Sequence, residues 1–258
     1  MLTAEKIQSN YKEFLDRMKD YFPTRGSSLV AMYESLGEAV IMAPASSFDY
    51  FHNAFPGGYV DHVLRVHDNA ILHYELWKEA GMDLNFPEEE LHFAALHHDL
   101  GKLGLPGYGN EHYVPETSDW HRKNQGKMYK TNPNIPKMTT ADNTFFLLNY
   151  FGIKYSWSEM IGIRCTDGLY DEANGEYLKG FSLETKLRNS LPYILHHADI
   201  MAFRFEFERW NKKEGKFRMN IRLDGEVTRV EEIPKKNSKL GFDESIFDDV
   251  FKSINPNQ

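Results

Sequence analysis

Three short stretches carry side chains that can share a chemical task. Gly57-Gly58-Tyr59-Val60-Asp61-His62 sets an imidazole just after a glycine pair. Ala94-Ala95-Leu96-His97-His98-Asp99-Leu100-Gly101-Lys102 ends an apolar run with an imidazole beside a carboxylate and an ammonium three residues on. Leu195-His196-His197-Ala198-Asp199 places a second carboxylate in another apolar run. An ionised Asp in apolar surroundings costs several kcal/mol unless a cation or a full set of hydrogen bonds accompanies it. The His98-Asp99 pair is where a metal is expected, because its imidazole and carboxylate can converge on one ion off the helix flank. Mixed nitrogen and oxygen ligation without thiolate suits Mn, Fe, Co, Ni or Zn and tolerates Mg, so the metal's identity stays open. An ion with an open position acidifies a bound water and polarises a phosphoryl oxygen, the chemistry of metal-assisted hydrolysis.

A second constellation follows the first. Asp119-Trp120-His121-Arg122-Lys123-Asn124-Gln125-Gly126-Lys127 is a basic cluster with an aromatic residue in it. Read for function, it supplies phosphate cations in Arg122 and Lys127, beside Lys102, and a proton donor for the leaving oxygen in His121. Arg164 and Tyr170 are further candidate substrate contacts. His97, His196 and His197 are alternative polar groups near the metal, as hydrogen-bond partners or as ligands of a second ion. Asp99 and Lys102 thus count both in the metal set or its surroundings and among the candidate catalytic groups.

These residues need elements to hold them, and apolar spacing of three and four supplies helices. Helical periods run over residues 3–22 and 29–42, separated by Pro23-Thr24-Arg25-Gly26. Residues 43–58, rich in Pro, Ser, Phe and Gly, read as a loop that can overhang the site. A long helix covers 59–80, with His62 at its entry, where free backbone N–H groups suit a ligand or an anion. Another helix begins at Glu88 and delivers His98-Asp99 at its end. Residues 101–136 lose the apolar period and read as the longest irregular stretch. Helices follow over 141–152 and 156–169, the latter with Ser156 and Glu159 spaced as a capping box. The last core helix spans 182–210, with Pro192 as a kink inside it. Asp224-Gly225 between two alternating runs signals a hairpin, and residues 242–254 form a short acidic amphipathic helix.

His62, then His98-Asp99, then Asp199, on three separate helices, resemble the H…HD…D signature of the HD-domain superfamily of metal-dependent phosphohydrolases. Gly-Gly-x-x-x-His-x-x-x-Val-His, Leu-x-His-Asp-Leu-Gly-Lys and His-x-Ala-Asp-x-x-Ala are each similar to local sequence of that superfamily, over roughly residues 50–210. The resemblance implies that His62, His98, Asp99 and Asp199, two neutral imidazoles and two carboxylates, hold a divalent ion and leave coordination positions open, within an all-α HD-domain helical bundle. Around it stand N-terminal helices (1–48) and a C-terminal part (212–258) with a small β-hairpin and a terminal helix, leaving 49–211 as the core. It implies a phosphohydrolase acting on a small nucleotide, as a triphosphohydrolase, a 5′-nucleotidase or a cyclic phosphodiesterase. Trp120-His121 with Asn124-Gln125-Gly126 is similar to the segment that carries an accessory catalytic histidine in HD-domain deoxynucleotide triphosphohydrolases, although the flanking acid is missing. Where related patterns carry a histidine, this chain has Cys165-Thr166-Asp167, which speaks against a second metal.

Three other functions stay in view. One is cleavage of single-stranded nucleic acid, since Gly57-Gly58 through His62 also resembles the HD domain of some bacterial exoribonucleases. The second is HD-type di-iron oxygenation, with His121 and His196 as extra ligands. The third is a metal-stabilised binding protein without catalysis. A net charge of −8 over 258 residues favours a small substrate over a polyanion. The single cysteine, Cys165, excludes an internal disulfide framework and fits a reducing compartment. No run of about eighteen apolar residues suggests a membrane span, and the expectation is a cytoplasmic protein with no membrane association, able to form homo-oligomers.

Overall fold

A computed structural model describes residues 1–214, of which the side chains at 109 and 110 are left aside. The expected hairpin around Asp224-Gly225 and the helix at 242–254 lie outside the described residues. The described residues are mostly helical: α1 (Ala4–Tyr21), α2 (Gly26–Leu36), α3 (Glu38–Met42), α4 (Gly58–Glu79) and α5 (Glu88–His97) come first. A 3-10 turn (Leu100–Lys102) leads into two small antiparallel pairs, β1 (Leu103–Leu105) with β2 (Gly109–Glu111), and β3 (Tyr113–Pro115) with β4 (Tyr129–Thr131). Between β3 and β4 lies α6 (Asp119–Gln125), and α7 (Thr140–Tyr150), α8 (Trp157–Arg164), the single-turn α9 (Gly175–Leu178) and α10 (Leu191–Glu214) complete the set.

The centre of the molecule is α4, which packs against α1, α5 and α10, while α8 closes the space between α5 and α10. On α10, Leu191, Ile194, Leu195, Ala198 and Ala202 fall at helical spacing and are all buried. They meet Tyr59, Val63, Val66 and Ala70 of α4 and Leu91, Ala94 and Ala95 of α5. Phe14 and Met18 of α1 join the same core. Each fully buried Leu or Phe of this kind contributes about 1.5–3 kcal/mol. No helix among the described residues is long and apolar enough to cross a membrane.

Several elements differ from the sequence reading. The helical period over 29–42 is interrupted at Gly37, whose φ of 55° ends α2 and starts α3; no side chain but hydrogen adopts that angle readily. The stretch 101–136 is not irregular throughout, since its hairpins use strands too short to show alternation. Pro192 is not a kink: it is the second residue of α10, where the missing N–H costs nothing. The capping box forms as read, with the Ser156 hydroxyl accepting from Glu159 N–H and the Glu159 carboxylate accepting from Ser156 N–H. Arg25 then clamps that buried Glu159 at 2.7 Å and lies over the Phe93 ring.

One close approach sets the height of the metal motif. The 3-10 turn docks on α7 through Gly101, whose N–H donates to the Thr144 hydroxyl and whose carbonyl accepts from Asn143, both at 2.8 Å. A Cβ on Gly101 falls 1.9 Å from the Thr140 carbonyl oxygen. Gly101→Ala therefore forces the turn off α7 and moves Asp99 and Lys102 with it. The expected result is a loss of about 1–3 kcal/mol of stability, read by denaturant unfolding, with a loss of divalent-ion affinity in the protein that remains folded.

Candidate metal centre

His62 stands one turn into α4, and the glycines before it serve packing. A Cβ on Gly58 lies 2.0 Å from the Asn53 carbonyl oxygen, and one on Gly57, whose φ is 77°, lies 2.7 Å from the Ile7 side chain. Two of the N–H groups at this helix start are taken, Gly58 by the Phe55 carbonyl and Tyr59 by that of Ala43. The preceding loop thus uses part of the donor set at the entry of α4, and the glycines let that loop press close to the helix.

His98 and Asp99 leave the end of α5 where the helix tightens into the 3-10 turn. Asp199 projects from α10. The four side chains converge as the sequence reading expects. His62 Nε2 lies 3.1 Å from Asp199 Oδ1 and 3.7 Å from Asp99 Oδ2. His98 Nε2 lies 3.5 Å from Asp99 Oδ2 and 3.9 Å from Asp199 Oδ1. Both imidazoles and Asp99 are buried, and Asp199 is partly so.

The other ring nitrogens show which way these imidazoles are turned. His62 Nδ1 faces Glu206 Oε2 at 3.0 Å, and His98 Nδ1 faces the Ala95 carbonyl at 2.8 Å. An N–H on each Nδ1 satisfies those acceptors and leaves each Nε2 lone pair aimed at the two carboxylates. His98 Nε2 is buried without a hydrogen-bond partner among the described residues. Lone pairs and carboxylates crowded together repel unless a cation sits among them. Ligand atoms about 2.1 Å from one ion stand roughly 3.0–3.5 Å apart, close to the separations found here. The buried group His62, His98 and Asp99 could thus hold a metal ion, and Asp199 stands beside it through His62.

The electrostatics carry the same message. Burial pulls the His62 imidazole down, but Glu206 and Asp199 outweigh it and push its pKa up to about 10. Without an ion the cluster draws in a proton, and a divalent ion takes that proton's place. Burial pushes Asp99 up, yet Lys102, His98 and His62 hold it well below the usual carboxylate range. Lys102 Nζ is 2.6 Å from Asp99 Oδ2, and although burial opposes its charge, Asp99 raises its pKa. Asp199 is likewise lowered against burial, chiefly by His62.

Glu206 was not found from sequence. It is fully enclosed, shares the α10 face of Asp199 seven residues on, and is held by Arg65 Nε at 3.1 Å. A carboxylate behind a histidine fixes the tautomer and strengthens the ring as a ligand. The spacing of seven in a helix was the available signal.

The remaining candidates have partners outside the cluster. His121 Nδ1 and Lys127 Nζ each lie 3.5 Å from Glu116 Oε2, so His121 has an acidic neighbour after all. Arg122 pairs with Asp119, and Arg164 with Asp171 at 3.3 Å. Tyr170 is 86% exposed. His97 packs in the core, stacked on Phe93, with Nδ1 facing that residue's carbonyl. His196 Nδ1 faces the Thr166 carbonyl at 2.6 Å, and His197 lies beside His73. Cys165 is buried, which pushes its thiol up to about 11 and leaves it inert. Comparison with known proteins finds no matching family model, no matching curated protein and no matching solved structure.

Two outcomes follow. Chelator-stripped protein gains about 2.7 kcal/mol when a divalent ion is supplied at roughly a hundred times its dissociation constant, seen as a rise in melting temperature. Glu206→Gln weakens that ion's binding about 10- to 100-fold, read by competition titration, with the helical content unchanged.

Proposed function

We propose that this chain is a metal-dependent phosphohydrolase of the HD-domain type, acting on a small phosphate ester such as a nucleotide. The observation that carries the reading is the convergence of two Nε2 lone pairs and two carboxylates in one enclosed spot, with a lysine ammonium beside it. When bound, the ion supplies Lewis acidity, acidifying a water and drawing charge from a phosphoryl oxygen.

The chain's own residues do the rest. His62 and His98 present neutral nitrogens, Asp99 and Asp199 supply the balancing charge, and Glu206 holds His62 in its ligating tautomer. Lys102, anchored by Asp99, faces the negative charge that builds on the phosphoryl group, which is where a fixed cation stabilises most. Proton donation by His121 has no support from contacts, since its imidazole faces Glu116.

Charge favours one end of the candidate substrate list. A divalent ion and Lys102 carry three positive charges against two on Asp99 and Asp199, while burial and then Asp99 push the nearby Asp167 carboxyl up, toward its neutral form. Arg122, Lys127 and Arg164 already face carboxylates. The small positive surplus that remains does not match a triphosphate. This supports a monophosphate or a cyclic diester, as in 5′-nucleotidase or cyclic phosphodiesterase activity, over triphosphate hydrolysis.

The test is product analysis on a panel of mono-, di-, tri- and cyclic nucleotides with Mn, Co and Mg, beside Asp99→Ala. Phosphate or nucleotide release from monophosphates or cyclic diesters, lost in Asp99→Ala, is expected. Preferential cleavage of triphosphates would overturn the charge argument, and silence across the panel in metal-loaded protein would retire the hydrolase reading.

A further inference from the structure

The loop between α3 and α4 brings a third imidazole to this cluster. The His52 ring centroid lies 4.7 Å from that of His62, and Phe203 meets its edge at 5.7 Å. Both His52 ring nitrogens are buried, and neither has a hydrogen-bond partner among the described residues. An imidazole always carries at least one N–H, and a buried donor left unpaired costs about 1–3 kcal/mol. Such groups are rare in folded proteins and call for an explanation.

The loop is built to keep the ring there. Ser46 Oγ donates to the His52 carbonyl at 2.6 Å. The next residue, Asn53, has φ of 43°, the sole positive value outside glycine among the described residues, and Asn tolerates that region better than most. Its amide donates to Asp61 Oδ2 at 2.9 Å and accepts from Arg209 at 3.1 Å, which fixes the bend. On its other side the loop is tied to the segment after α6, through Asp49 N–H to the Gly126 carbonyl at 2.8 Å and Met128 N–H to the Ser47 carbonyl at 2.9 Å. Residues in unusual backbone conformations persist where their surroundings over-determine them, and they cluster at ligand sites.

His52 contributes no atom to the compact ligand group of His62, His98 and Asp99. Its ring nonetheless lies within electrostatic reach of Lys102, Asp99 and Asp199. Lys102 uses one N–H on Asp99 out of the three an ammonium has. His112 Nδ1, another of the buried and unpartnered imidazole nitrogens, also belongs to a ring within reach of Lys102. Unpaired imidazole nitrogens within electrostatic reach of a lysine, next to this cluster, suit a tetrahedral oxyanion.

We propose that His52 donates its ring N–H to a non-bridging oxygen of the bound phosphoryl group, forming with Lys102 the anion-binding half of the site. This rests on the phosphohydrolase reading and names its ligand class as a phosphate monoester, with inorganic phosphate as the matching product. His52 is a substrate-binding residue rather than a metal ligand.

The experiment titrates inorganic phosphate into the Mn-loaded full chain by calorimetry and measures Mn affinity separately. The proteins are wild type, His52→Phe and His52→Gln. Phe keeps a flat ring against His62 and lacks the donor, whereas the Gln amide restores an N–H. The expected result is unchanged Mn affinity throughout, a roughly tenfold loss of phosphate affinity in His52→Phe, and recovery of most of that loss in His52→Gln. Wild-type phosphate affinity in His52→Phe overturns the assignment, as does a fall in Mn affinity that tracks the phosphate loss, or failure of Gln to rescue. Wild-type protein that holds Mn but binds no phosphate and cleaves no nucleotide rejects the hydrolase reading itself, and the role of His52 with it.

Discussion

Everything near the centre of this protein answers to one constraint: two carboxylates face two imidazole nitrogens in a space largely closed to water. At separations of 3.1 to 3.9 Å these groups cannot all keep their preferred charge states without a cation among them. The helices packed around them are apolar enough to deny the usual remedy of hydration. Alternative remedies are a proton on His62 or a metal ion, which the buried group of His62, His98 and Asp99 could hold. The pairing of Lys102 with Asp99 settles part of the charge and leaves the nitrogen side open.

A second layer of charge steadies the first. Asp61 is buried on α4 and accepts from Asn10, Asn53, Arg65 and Arg209, drawn from α1, the preceding loop, its own helix and α10. Burial pushes its carboxyl up, but Arg209 and Arg65 more than reverse this. Arg65 also reaches Glu206, so the group behind His62 and the group behind the loop share a cation. A buried charge network of this kind is costly when broken and contributes more to geometry than to net stability. Here the geometry it fixes is the direction of His62.

How much of this could be read in the amino-acid sequence depended on distance along the chain. His62, His98-Asp99 and Asp199 stand out because each interrupts an apolar helical run, and that anomaly is local. The Ser156 and Glu159 cap is equally local, and it forms as read. Gly37 was passed over because the apolar period continues across it, and Pro192 was misplaced because periodicity alone does not mark where a helix begins. His52 and Glu206 were missed for a different reason. Their surroundings are assembled from remote segments, with Glu206 lying 144 residues from the histidine it serves. The basic run around His121 drew attention by composition, yet its charges are largely absorbed by Glu116, which lies before the run, and by Asp119, three residues ahead of Arg122 on the same helix.

The placement of residues on α10 has a mechanical consequence. Asp199, Glu206 and Arg209 lie on one unbroken helix, and they act respectively on the cluster, on the ring of His62 and on the bend at Asn53. A helix moves as a stiff rod, so these three contacts travel together. A small axial slide or roll of α10 would loosen or tighten the cluster, the imidazole and the overlying loop in concert, making the helix a single adjusting screw for the whole centre.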